Sequence, residues 1–216
     1  MSGSTTRLVL IRHGESNVTV KRIVGGPRSC DGLSALGRRQ AEALASRLTL
    51  SGELKPDVLV SSEYPRAIET ADIIAPVLGF AIVERRAAFG EHDPGPDCDG
   101  VPYAAFTEQF GDIDWDGDPF RVGFPGGESI AVFQHRIGQA TSDILAEHEG
   151  RSIVVVCHGG VVDAVFRRLM STPSTGAFHL HTLNTSLTEF VKQDKKPWKL
   201  VRYNDSAHLA GLPAHT

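Results

Sequence analysis

Arg12-His13-Gly14-Glu15 directly follows the apolar run Leu8-Val9-Leu10-Ile11, and His158-Gly159-Gly160 directly follows Ile153-Val-Val-Val-Cys157. Short runs rich in leucine and β-branched residues are expected as buried strands. In α/β sheets, ligands collect where such strands end. Two histidines thus leave two strand ends in matching settings, each followed by a glycine that permits a tight turn and close approach of an anion. Arg12 adds a planar fork of donors suited to phosphate oxygens, and a neutral imidazole such as His13 can attack phosphorus. A further basic group, Arg66, lies in Ser61-Ser62-Glu63-Tyr64-Pro65-Arg66, where a helix opens after another strand; a helix N-terminus already favours anions. Singly, each residue is as well explained by a structural hydrogen bond or a solvated surface charge. Together they point to phosphoryl chemistry without a metal.

The elements that must position these groups are legible as alternating patterns. Strands are expected at Arg7–Ile11, Asp57–Val60, Ile153–Cys157 and Ser186–Val191, with weaker ones at Ala81–Val83 and Lys199–Tyr203. Between them, helical spacing runs from a Ser34 cap to Leu48, from Pro65 to Leu78, from about Glu128 to His148, and from about Gly160 to Met170. Strands alternating with helices imply an α/β sandwich with a mainly parallel sheet. The stretch Gly95–Gly127 breaks the rhythm yet carries Tyr103, Phe106, Phe110, Trp115, Phe120 and Phe124. It is expected as an insertion over the sheet end, partly helical around Tyr103–Phe110, either covering core or lining a substrate pocket. Asn204–Thr216 is expected as a loose tail.

Composition narrows the function. The chain has 216 residues, 41% of them hydrophobic and 22% charged, which suits one domain with a normal core. A net charge of -4 offers no general attraction to nucleic acid or anionic membranes. The N-terminal residues lack the charged-then-apolar layout of a signal peptide, so a cytoplasmic location is expected. Cys30, Cys98 and Cys157 form no C-x-x-C pair, and none has arginine six positions later, which excludes a cysteine-nucleophile phosphatase loop. Neither G-x-x-x-x-G-K-[ST], G-x-G-x-x-G nor G-x-S-x-G occurs, which argues against nucleotide-dependent kinases and serine hydrolases.

Taken in order, Arg12-His13-Gly14-Glu15-Ser16, Leu33-Ser34 with Gly37 and Gln40-Ala41, Ser61-Ser62 with Arg66-Ala67 and Glu69-Thr70, Pro125-Gly-Gly-Glu-Ser129, Cys157-His158-Gly159-Gly160 and Asn184-Thr-Ser-Leu187 resemble the histidine phosphatase superfamily. That group contains the cofactor-dependent phosphoglycerate mutases and their phosphatase relatives. The resemblance implies a three-layer α/β/α sandwich of the phosphoglycerate mutase-like kind and a phosphohistidine intermediate on His13. It also implies a phosphoryl pocket of Arg12, Arg66 and His158, a phosphate-contacting Asn17, and a substrate loop around Arg22, Gly25 and Gly26, with Gly159 beside His158. Glu91, four residues before Gly95, fits the family's proton donor, with His92 and Asp93 as alternatives in the same loop. Arg28 could also meet an anionic substrate group or face solvent. Of the other histidines, His135, His148 and His179 are expected at the surface or in the core, and only His181 near the pocket.

The implied activity is metal-independent hydrolysis of a small organic phosphomonoester, one with an apolar or sugar body, with no cofactor and a homodimer left open. Two alternatives remain: a phosphoglycerate mutase-type phosphotransferase, and a phospho-ligand-binding protein without turnover. The family's mutase motif Glu-Arg-His-Tyr-Gly is absent; Gly90-Glu91-His92-Asp93 stands there, and the insertion is acidic and aromatic rather than basic.

Overall fold

Along the first strand, β1 (Thr5–Arg12), Leu8 and Leu10 face one side of the sheet and Val9 and Ile11 the other, and all four are buried. A strand apolar on both faces needs helices on both. The computed structural model, which describes residues 4–176 and 178–213, shows that arrangement. With β2 (Val58–Ser61), β3 (Glu84–Arg85), β4 (Ser152–Cys157), β5 (Leu187–Gln193) and β6 (Lys199–Asp205), β1 forms one sheet of order β3-β2-β4-β1-β5-β6. The pairs β3/β2, β2/β4 and β4/β1 are parallel, whereas β5 pairs antiparallel with β1 and β6 with β5.

The helices are α1 (Asn17–Val20), α2 (Ala35–Ser51), α3 (Pro65–Ile74), α4 (Gly95–Cys98), α5 (Tyr103–Phe110), α6 (Ile130–Glu147) and α7 (Gly159–Met170). Leu44 and Leu48 of α2 and Ala67, Ala71 and Ile74 of α3 pack on the Val9/Ile11 face. Phe133, Ile137 and Ile144 of α6 and Val161 and Val165 of α7 cover the other. The result is the three-layer sandwich expected from the sequence. Two serine caps fix helix starts: Ser34 Oγ accepts from Gly37 N and Ser129 Oγ from Val132 N.

Three segments differ from, or sharpen, the sequence reading. Ala81–Val83 is not a strand: Phe80 N still bonds back to Ala75 O, Ile82 is 84% exposed, and only Glu84–Arg85 come alongside Val60–Ser61. The expected tail begins inside β6. Beyond it, Ala207–Leu209 form a 3-10 turn packed on α2, with His208 Nε2 2.9 Å from Thr185 Oγ1; Ala214–Thr216 lie outside the described residues. Between Gly95 and Gly127, α4 and α5 wrap a small core of their own, in which Cys98, Phe106 and Phe124 meet Val24.

Candidate active site

β1 ends beside β4, and His13 N donates to Cys157 O at 2.9 Å, so the nucleophile candidate leaves the sheet with its backbone still in the ladder. Its carbonyl is held by Asn184 Nδ2 at 2.9 Å. The buried ring donates from Nδ1 to Gly14 O at 2.6 Å, which directs the lone pair of Nε2 away from the backbone. Glycine is required at 14 and 37 because the two loops touch: a Cβ on Gly14 would lie 3.1 Å from Gly37 Cα and closer still to its carbonyl. Glu15 N donates to Gln40 Oε1 and Ser34 Oγ donates to Glu15 Oε1, which ties the first motif to the start of α2.

β2 delivers Ser62, and the N-terminus of α3 delivers Arg66, 4% exposed with its guanidinium 4.6 Å from the Tyr64 ring centre. Arg66 Nε donates to His13 Nε2 at 3.1 Å and lies 3.3 Å from His158 Nδ1. His158 leaves β4 and caps α7; its Nε2 lies 2.8 Å from Ser62 Oγ, and its ring centre 5.0 Å from that of His13. Thr70 Oγ1 joins the two motifs, donating to Arg66 O and accepting from Gly14 N. Arg12 reaches across to donate to Thr182 O.

Burial, followed by the Arg66 guanidinium, holds the pKa of both His13 and His158 well below the usual imidazole range. His158, like His13, is thus neutral within its own protein surroundings. Two buried donors, Arg12 Nε and Arg66 Nη1, have no partner among the described residues. Both face glycines. A Cβ on Gly159 would stand 3.7 Å from Arg12 Nε, and one on Gly25 would stand 3.6 Å from Arg66 Nη1 and collide with Val18. Glycine at those positions leaves the donors room for an oxyanion.

Glu91 stands on the rim. Its carboxylate accepts from His92 N and from Gly160 N, each at 3.0 Å, the latter in the first turn of α7. The loop is fixed by Arg136 of α6, which donates to the carbonyls of Ala88, Gly90 and Glu91 and pairs with Glu128; Glu128 in turn accepts from Asp93 N. Asp93 turns back to Gly95 N, and His92 packs among Trp115, Phe124 and Phe133. A cavity of about 520 Å3 opens beside Glu91, Gly25, Gly159 and Gly160.

Other expected residues lie apart. Asn17 opens α1 and its side chain bonds Asp31, not the four basic groups. Arg22 is exposed, and Arg28 is engaged by Asp99 and Pro96 O. His181 does not line the cavity, whereas His179 does. Asn184, Ser62, Thr70 and Arg136 carry no role in the sequence reading. The first three sit in the quoted motifs, but Arg136 acts through carbonyls 45 to 48 positions away, which no local pattern announces. Among the described residues no three His, Cys, Asp or Glu side chains are grouped to hold a metal, and no helix is long and apolar enough to cross a membrane.

The profile of the histidine phosphatase superfamily (branch 1) matches residues 8–206. The chain belongs to that superfamily. It is 33% identical over 213 residues to phosphoglycerate mutase-like protein 4 of Arabidopsis thaliana, covering 94% of this chain and 86% of that one. It is 28% identical over 222 residues to the metal-independent phosphoserine phosphatase of the same plant, covering 98% and 87%. Among solved structures, the mycobacterial glucosyl-3-phosphoglycerate phosphatase superposes with a TM-score of 0.78 at 26% identity, covering 94% of this chain and all of that one. These relatives bear out the expectation of a histidine-phosphatase phosphomonoesterase.

Proposed function

We propose that this histidine phosphatase hydrolyses small organic phosphomonoesters without a metal, through a phosphohistidine on His13. The observation that carries the reading is the pair of unpartnered guanidinium donors, Arg12 Nε and Arg66 Nη1, buried beside an imidazole whose Nδ1 is pinned to Gly14 O. In the first step His13 Nε2 forms a bond to phosphorus as the P–O ester bond breaks. Arg66 passes its Nε donor from the imidazole to the phosphoryl oxygens as they arrive. Charge spread over those oxygens is met by Arg12, Arg66 and His158, whose Nδ1 gains a proton more readily once a dianion lies beside it. Glu91 gives its proton to the leaving alkoxide. In the second step Glu91 takes a proton from water, the new P–O bond forms, the P–N bond breaks, and inorganic phosphate leaves.

Hydrolysis of a phosphomonoester panel after EDTA treatment, with wild type beside His13→Ala, tests this. Turnover should survive EDTA and fall by at least about a thousandfold in His13→Ala. Turnover that persists in the variant, or that EDTA abolishes, would overturn it. Against a mutase stands the cavity lining, whose ionisable groups beside Glu91 include Asp116, Asp163 and a fully engaged Arg167, with no unengaged guanidinium or ammonium among the described residues to re-bind a phosphoglycerate carboxylate.

A further inference from the structure

We infer that the cavity above the phosphoryl floor selects phosphomonoesters whose leaving group carries an aromatic ring and no carboxylate. The inference rests on the hydrolase reading above and specifies its substrate class.

The walls set the shape. Ile23, Trp115, Phe124, Ile130 and Phe133 line the cavity. His92 stands among them, its ring centre 5.6 Å from Trp115, 5.6 Å from Phe133 and 5.8 Å from Phe124. Trp115 keeps 45% of its surface exposed although it packs against these rings, so an indole remains available at the mouth. Flat apolar surfaces at these spacings favour another ring in edge or offset contact. A substrate ring placed there sits beyond Glu91 and Gly160, with its phosphoryl group reaching Arg12 and Arg66 below.

The charges set the exclusion. The carboxylates of Asp116 and Asp163 line the cavity beyond Glu91, and Arg167 is its one guanidinium among the described residues. That guanidinium is used up: Nε donates to Asp163, Nη1 to Pro173 O and Gly176 O, Nη2 to Phe178 O, and its plane lies 4.4 Å from the Phe178 ring centre. Burial holds the His92 imidazole below its usual pKa, which keeps that ring neutral. His179 Nε2 is 3.3 Å from Asp116 Oδ2, a carboxylate that offsets any charge this exposed ring carries. Arg22 and Arg121 are exposed and do not line this cavity. A carboxylate on the leaving group would therefore meet like charge without a cation, whereas phosphoserine and phosphoglycerates each carry one.

Two matched pairs of alkyl esters test the inference with similar leaving groups. For wild type, kcat/KM for 2-phenylethyl phosphate should exceed that for ethyl phosphate by roughly tenfold or more. O-phosphoethanolamine should exceed O-phosphoserine, which differs only by the carboxylate, by roughly tenfold or more. The second ratio should narrow in Asp116→Asn and the first in Trp115→Ala. O-phosphoserine equal to or better than O-phosphoethanolamine, no gain from the ring, or ratios unmoved by both variants would overturn the inference. Those outcomes, with turnover still lost in His13→Ala, would leave the hydrolase reading standing. Turnover that survives His13→Ala, or no turnover of any ester, would take down both.

Discussion

His13 and His158 are neighbours held as neutral imidazoles of opposite tautomer. The Gly14 carbonyl takes the proton of His13 at Nδ1, while Arg66 donates toward His158 Nδ1 and leaves the proton of that ring on Nε2, facing Ser62. Burial first, then the Arg66 charge, lowers both pKa values. The neutral form of His13, which the proposed attack requires, therefore persists as pH falls through the usual histidine value of about 6.5 and is lost only well below it. Nitrogen-15 NMR of the imidazoles at pH 6.5 should show His13 protonated at Nδ1 and His158 at Nε2. A charged ring at either position would contradict the network. At this scale the sequence was most informative, because Arg12, His13, Arg66 and His158 each stand where a strand ends or a helix begins. Asn17 and Arg22 were carried in by resemblance alone; the Asn17 side chain bonds Asp31, and Arg22 is exposed at a left-handed position with φ of 52°.

Between elements, the decisive contact is the grip of α6 on the loop bearing Glu91. Arg136 satisfies three carbonyls of that loop and the Glu128 carboxylate, so one helix side chain sets where Glu91, the proposed proton donor, stands. Lysine keeps the charge but loses the fork. Arg136→Lys should lower kcat for an alkyl phosphate by roughly ten- to a hundredfold, and kcat for p-nitrophenyl phosphate much less, since that leaving group hardly needs a proton. Equal losses on both would mean that Arg136 serves folding rather than Glu91. The same contact explains what the sequence withheld. Helical spacing located α6 to within a few residues, but only the packing of α6 beside the sheet brings Arg136 to the Glu91 loop. The shift of the edge strand from Ala81–Val83 to Glu84–Arg85 has a similar origin, because a two-residue strand is defined by its neighbour β2 rather than by its own pattern.

Across the whole molecule, acid should act through two separate sets of groups. Near the β5/β6 edge, Arg47 and Arg202 pair with Asp205 and Glu53, and Arg7 and Arg202 with Glu189. Hydrogen bonds from Arg47 hold Asp205 below the usual carboxylate range, and Glu53 is also lowered, its pairing with Arg47 and Arg202 outweighing burial. Depressed carboxylates contribute stability that is present above the unfolded value of about 4 and disappears as pH falls through the folded one. The two buried histidines push in the same direction at higher pH, because unfolded imidazoles take up protons below about 6.5 and the folded ones resist. The melting temperature should therefore fall in two stages as pH drops from 7 to 3, and Asp205→Asn should flatten the lower stage; a profile unchanged by that variant would remove the edge network from the account. The two unpartnered donors of Arg12 and Arg66 carry one more consequence. Donors of this kind distinguish poorly between a phosphoryl group still in its ester and one that has been cut free, so inorganic phosphate should take the same seat as the ester. Competitive inhibition by the product is thus the expected cost of the proposed chemistry, and added inorganic phosphate should raise the apparent KM of the ester while leaving kcat unchanged.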